Sequence, residues 1–111
     1  GDGKPFFFGS PDSHLNPKRK ENQKRFHEHC LKTLGKQPLG FSEKVRVTGA
    51  GYHPLWRRIS KNWVAENTAS RSVHLTLETT WNSPHSTQDG YLNYGAALGQ
   101  AIASYLKSTP R

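Results

Sequence analysis

Glu78 closes the alternating stretch VHLTLE, residues 73–78, and is followed at once by TTWNSPH, a loop carrying Trp81, Asn82 and His85. A carboxylate in that position can serve as a general base or acid if its surroundings hold it beside a substrate. By position alone, a strand-end Glu is an ordinary solvated residue. The loop adds weight, because Trp81 brings a large apolar area to a turn that has little packing reason to carry it.

Other residue types with chemical potential form no comparable pattern. Six histidines invite a metal hypothesis. His27 and His29, however, are two apart, and on a helix that spacing points them about 200° from each other. His14, His53, His74 and His85 show no HExxH or HxxE spacing, so structural or surface histidines are expected rather than a self-contained metal site. Cys30 is the single cysteine, which excludes an intramolecular disulfide and a thiolate zinc cluster. It falls on the apolar side of a helical repeat, where a structural thiol is expected. No GxSxG elbow is present, and GAGYHP has neither the glycine spacing nor the following Lys-Ser or Lys-Thr of a phosphate-binding loop.

Composition bounds the rest. A chain of 111 residues is one domain, 1–111, with a modest core, and only 32% of its residues are hydrophobic. That is little with which to offset conformational entropy, as in a piece of a larger core. No apolar run approaches the ~20 residues of a membrane span, so no membrane role is expected. The net charge of +8 suggests an acidic partner. Its densest part, PKRKENQKRF, lacks the aromatic interleaving of a single-strand binder and reads as a solvated helix face rather than a nucleic-acid contact.

The elements that must position Glu78 can be read from local signals. KPFFFGSPDS predicts a buried strand over Pro5–Phe8 running into a turn cluster. Asn16, Pro17 and Gly35 bracket a helix as N-cap, first-turn proline and stop, with Phe26, Cys30 and Leu34 on the face that packs; its first half is nearly all polar. A short strand is expected over Val45–Thr48. A short helix follows, spanning Trp56, Ile59, Trp63 and Val64 and ending in a turn at Asn67, Thr68 and Ser70. Ser72–Glu78 alternates as a strand. Tyr91, Tyr94, Leu98, Ala101, Ile102 and Tyr105 then mark an amphipathic helix over Asp89–Lys107. Gly95 and Gly99, one turn apart in it, each cost roughly 1 kcal/mol relative to Ala, which close approach to a sheet would offset. Alternating strands and helices place the chain in the α/β class, with a partial mixed sheet of about three to four strands packed with two main helices.

The segment VHLTLETTWNSPHSTQDGYLNYGAALGQAIASYL, Val73–Leu106, resembles the C-terminal part of a zinc metallocarboxypeptidase of the carboxypeptidase A-like superfamily, in particular of its bacterial branches. KPFFFGSPDS followed by a basic helix is similar to the strand and helix that come after the family's third zinc ligand. The resemblance implies the C-terminal part of a carboxypeptidase-like fold and hydrolysis of a peptide or small amide. It implies Glu78 as general base and Tyr52, in the Gly-rich segment, as the substrate-contacting tyrosine. It further implies zinc in the complete domain but none in this chain, since the HxxE motif, the third ligand and the substrate-binding arginines belong to the family's earlier half.

The chain alone is therefore expected to be inactive, with the missing N-terminal part of the domain as its partner. Bare strand edges would then invite self-association. Glu78 is expected at the C-terminal end of a central strand, facing an open cleft. The rival reading is a small basic binding module for nucleic acid or another acidic partner.

Overall fold

A computed structural model describes residues 3–49, 51–58, 62, 64 and 72–108. Strand β1 spans Phe6–Gly9, helix α1 Pro17–Leu34, β2 Arg46–Val47, β3 Thr76–Glu78 and helix α2 Gln88–Lys107, with single 3-10 turns at Asp12–His14 and Trp56–Arg58. The strands form one mixed sheet in the order β2-β1-β3. β1 is parallel to β2, with Phe8 opposite Arg46, and antiparallel to β3, with Phe6 opposite Glu78 and Phe8 opposite Thr76. This is the expected α/β mixed sheet with two main helices.

β1 sorts its three phenylalanines by the two-residue period of a strand. Phe7 points to the helix side and is buried, its ring 5.9 Å from that of Phe26 and 5.1 Å from that of Phe41. Burial of such a ring stabilises the fold by roughly 1.5–3 kcal/mol. Cys30 and Leu34 of α1 and Tyr94, Ala97 and Ala101 of α2 complete the core around it. Phe6 and Phe8 point the other way and meet edge to face at 5.1 Å. At Gly9 a Cβ would sit 3.0 Å from Val45 Cγ1, 3.2 Å from Gln23 Nε2 and 3.3 Å from Leu75 Cδ2, so a side chain there would crowd three neighbours.

The helix ends follow local chemistry. Asn16 Oδ1 accepts the Arg19 N–H at 2.9 Å, Pro17 opens the first turn, and Gly35 ends α1. Thr87 Oγ1 accepts the Gly90 N–H at 3.0 Å and caps α2. Between α1 and α2, Gly40 adopts φ +73°, a left-handed conformation that favours glycine, and its carbonyl accepts the Tyr94 hydroxyl at 2.8 Å. The helices are latched by His29 Nδ1 with Ser104 Oγ at 2.8 Å and by Arg25 Nη2, which donates to the Ser108 carbonyl at 2.6 Å.

Four expectations are corrected. β3 is three residues long rather than Ser72–Glu78, its ladder pairing only with Phe6–Phe8 of β1. It is an edge strand among the described residues, so Glu78 ends an edge strand and β1 is the central one. The first half of α1 is not merely a polar surface, since Arg19 and Asn22 are buried. Gly95 and Gly99 do not approach the sheet: both are exposed, and among the described residues a Cβ at either would meet nothing within 4 Å. The predicted helix over Trp56–Val64 appears as the turn at Trp56–Arg58 and helical Asn62 and Val64; Ile59 and Trp63, and the turn at Asn67, Thr68 and Ser70, lie outside the described residues.

Candidate functional site

The sheet face opposite the helices carries the chemistry. Thr76 and Glu78 of β3 share that face with Phe6 and Phe8, because paired residues in a ladder project to the same side. Residues 51–58 fold over part of it. The Tyr52 N–H donates to the Gly49 carbonyl at 2.9 Å, and this turn brings the Tyr52 ring to 5.6 Å from that of Phe8. A pocket of about 410 Å³ results, lined by Phe8, Thr48, Tyr52, His53, Leu55, Arg58, Thr76 and Glu78. The two residues singled out for catalysis and substrate contact, Glu78 and Tyr52, therefore face one cavity although they are far apart in sequence.

Asn62 anchors the loop over this face. Its side chain is fully buried; Nδ2 donates to the Thr48 carbonyl at 3.0 Å and the Trp56 carbonyl at 2.7 Å, while Oδ1 accepts the Ser10 hydroxyl. The ends of β1 and β2 and the Trp56 turn are thus tied to one amide, which meets its hydrogen-bonding demand in the interior. Next to Tyr52, His53 Nδ1 accepts the Leu55 N–H at 3.0 Å, so its neutral ring carries the proton on Nε2. On the other side, Arg46 lies 4.0 Å from the centroid of the Phe6 ring, a cation–π contact on the same open face.

The loop after Glu78 is pinned at both ends. The Thr80 carbonyl accepts the Ser86 and Tyr91 hydroxyls, each at 2.6 Å, which fixes the start of α2 relative to the end of β3. Trp81, between them, is 83% exposed. Its apolar area is presented to the surroundings rather than packed, the feature that made this loop unusual as sequence.

The remaining candidates separate by burial. Cys30 is buried, and desolvation pushes its thiol up to about 12, so it is a core residue rather than a nucleophile. Burial lowers the pKa of His27, whose Nε2 donates to the Ser42 carbonyl at 3.3 Å, and also lowers that of His74. Among the described residues no three His, Cys, Asp or Glu side chains come together in a group that would hold a metal ion. The basic run is divided: Arg19 is buried and Arg25 is engaged with Ser108, leaving Lys18, Lys20 and Lys24 exposed. No described helix is long and apolar enough to cross a membrane.

A larger groove of about 730 Å³ lies on the helix side, between β3 and the C-terminal half of α2, lined by Val73, Leu75, Leu77, Leu98, Ile102 and Leu106 among others. Its lining is mostly apolar, with Ser72 and Tyr105 as the polar members. Sequence reasoning missed His53, Arg58, Thr48 and Asn62. Only the position of His53 beside Tyr52 could have flagged one of them; nothing local marks the others. Comparison of the chain with protein-family models, with curated proteins and with solved structures finds no match.

Proposed function

We propose that this chain is the C-terminal part of a carboxypeptidase-like zinc hydrolase that cleaves a peptide or small amide, with Glu78 as its general base and Tyr52 as a substrate contact. The observation that carries the reading is the shared pocket: a carboxylate at a strand end and a tyrosine on a loop line one open cavity beside apolar Phe8 and Leu55. In this role the Glu78 carboxylate, at the rim of the pocket, takes a proton from the attacking water and returns it to the leaving amine. Tyr52 offers a phenolic hydroxyl on a turn and an aromatic surface against Phe8.

Zinc is the metal the resemblance implies, and the described residues do not fit it, since no trio of ligating side chains comes together among them. Its ligands would belong to the other part of the domain. The chain alone is then expected to show no turnover of substrates with C-terminal amino acids in the presence of zinc.

The reading is tested by joining this chain to the product of the reading frame upstream. An HxxE pair followed by a distant His is expected there, and the joined protein should hydrolyse such substrates. Glu78→Gln should lower kcat by about 10²–10⁴-fold, the range of general-base contributions, with little change in KM. Turnover by the joined protein that is indifferent to Glu78→Gln, or an upstream frame without the ligand pattern, overturns it.

A further inference from the structure

We infer that the outward face of α2 is a self-complementary docking surface for a second copy of this chain, two α2 helices packing antiparallel about a two-fold axis at Gly99. This inference does not rest on the hydrolase reading. It starts from the two glycines whose presence the fold leaves unexplained. Gly95 and Gly99 lie inside a helix, point away from the core, and have open space where a Cβ would stand. Nothing among the described residues requires them to lack a side chain.

The residues around them are apolar and exposed: Leu92 is 64%, Ile102 42% and Leu106 61% accessible. At 100° per residue, Leu92, Gly95, Gly99, Ile102 and Leu106 fall within about 60° of the Gly99 direction, away from the buried Ala97 and Ala101, with Ile102 and Leu106 also bordering the groove towards β3. Spaced by three and four, they form the seam along which helices pair.

The order of large and small residues along this seam makes it its own complement. An antiparallel copy related by a two-fold axis through Gly99 sets Leu92 against Leu106 and seats Ile102 over Gly95. It also brings Ala96 to Ala103 and Gly99 to Gly99. A bulky side chain thus meets a glycine where the helices are closest, and leucines meet at the two ends. Isologous pairing of this kind is how closed dimers form.

Charge selects the same arrangement. Asp89 near the start and Lys107 at the end are the only charged residues of α2, and both are exposed. They lie on one flank of the seam, each about 80° from the Gly99 direction. In the antiparallel dimer Asp89 of one copy comes beside Lys107 of the other, and this happens twice. A parallel pair would juxtapose like ends instead. The chain's positive excess resides elsewhere, on α1 and the loops, so it does not oppose contact across this face directly. Because a single helix pair lies at the small end of protein interfaces, below about 1,200 Å², the dimer should be weak and concentration-dependent.

Sedimentation equilibrium of the whole chain from about 10 µM to about 1 mM should show a reversible monomer–dimer transition, the range expected for a small interface. Gly99→Arg places like charges on the two-fold axis without a clash inside the monomer. It should weaken dimerisation at least about ten-fold while helicity by circular dichroism is retained. Asp89→Lys should also weaken it, and the added exchange Lys107→Asp should restore it. A monomer throughout the range overturns the proposal. So does a dimer unaffected by Gly99→Arg, which would put the contact elsewhere, such as the free edge of β3, as would failure of the double exchange to restore what Asp89→Lys removes.

Discussion

Burial decides what the ionisable residues of this chain can do. His27 shows this clearly: its ring packs 5.5 Å from Phe41 and 6.1 Å from Phe7, and its Nε2 donates to the Ser42 carbonyl. Desolvation disfavours the imidazolium and outweighs both the carbonyl and the nearby Glu28, which favour it, so the folded-state pKa lies below the ordinary 6.5. Asp12, Lys20 and Lys24 border the same recess. The unfolded chain then binds more protons than the folded one once the pH drops below about 6.5, and stability falls with acidification until the folded ring titrates as well. Thermal melting at pH 7.5 and pH 5 should show a lower Tm at the acid end. His27→Phe should reduce that difference, with His74, also lowered, supplying part of the remainder. An unchanged pH difference in the variant would remove His27 as a source of acid sensitivity. Glu78, by contrast, is exposed at the pocket rim and depends on its neighbours for position rather than on burial.

At the scale of elements, what could be read in the sequence was what local chemistry determines. The bounds of α1 were legible because Asn16, Pro17 and Gly35 act within a turn of themselves. β3 was overextended because strand length depends on pairing, and alternation at Val73–Leu75 does not report which residues pair with β1. The phase of α2 was only partly legible: its apolar residues run nearly all round, so the pattern marked Tyr91 and Ile102 as inward, whereas both are exposed and Ala97 is buried. The site was legible only as far as Glu78 and Tyr52, since the role of Asn62 arises from hydrogen bonds to Ser10 and Thr48 that no spacing signals. The corrected phase has a consequence for stability. Gly95→Ala adds a methyl group to open space and replaces a poor helix former, so at concentrations where the chain is monomeric it should stabilise the fold by about 1 kcal/mol. Urea denaturation should show a higher midpoint with an unchanged slope; a loss of stability would mean that Gly95 faces a neighbour after all.

The whole molecule is a slab, 36 × 34 × 19 Å, with a radius of gyration of 14.3 Å against about 13 Å expected for a compact chain of this length. Its thin dimension is that of two layers, the sheet and the helix pair. Helices cover one sheet face among the described residues, while the opposite face carries Phe6, Phe8 and the loop at residues 51–58. On the helix side the groove between β3 and α2 leaves Val73, Leu75 and Leu77 only partly covered. Each of these features subtracts apolar burial from a chain that has few hydrophobic residues to begin with. Conformational entropy is unreduced by comparison, because nearly every residue in the strands and helices is still ordered. The balance should leave the chain at or below the low end of ordinary domain stability, about 5 kcal/mol. Urea unfolding followed by tryptophan fluorescence and by circular dichroism should give that value. On the proposed hydrolase reading, addition of the complementary part of the domain should raise it, since a partner that binds only the folded chain stabilises it by mass action. A stability above about 10 kcal/mol for the chain alone would show that its open face and groove cost little, and would remove the physical argument for a covering partner.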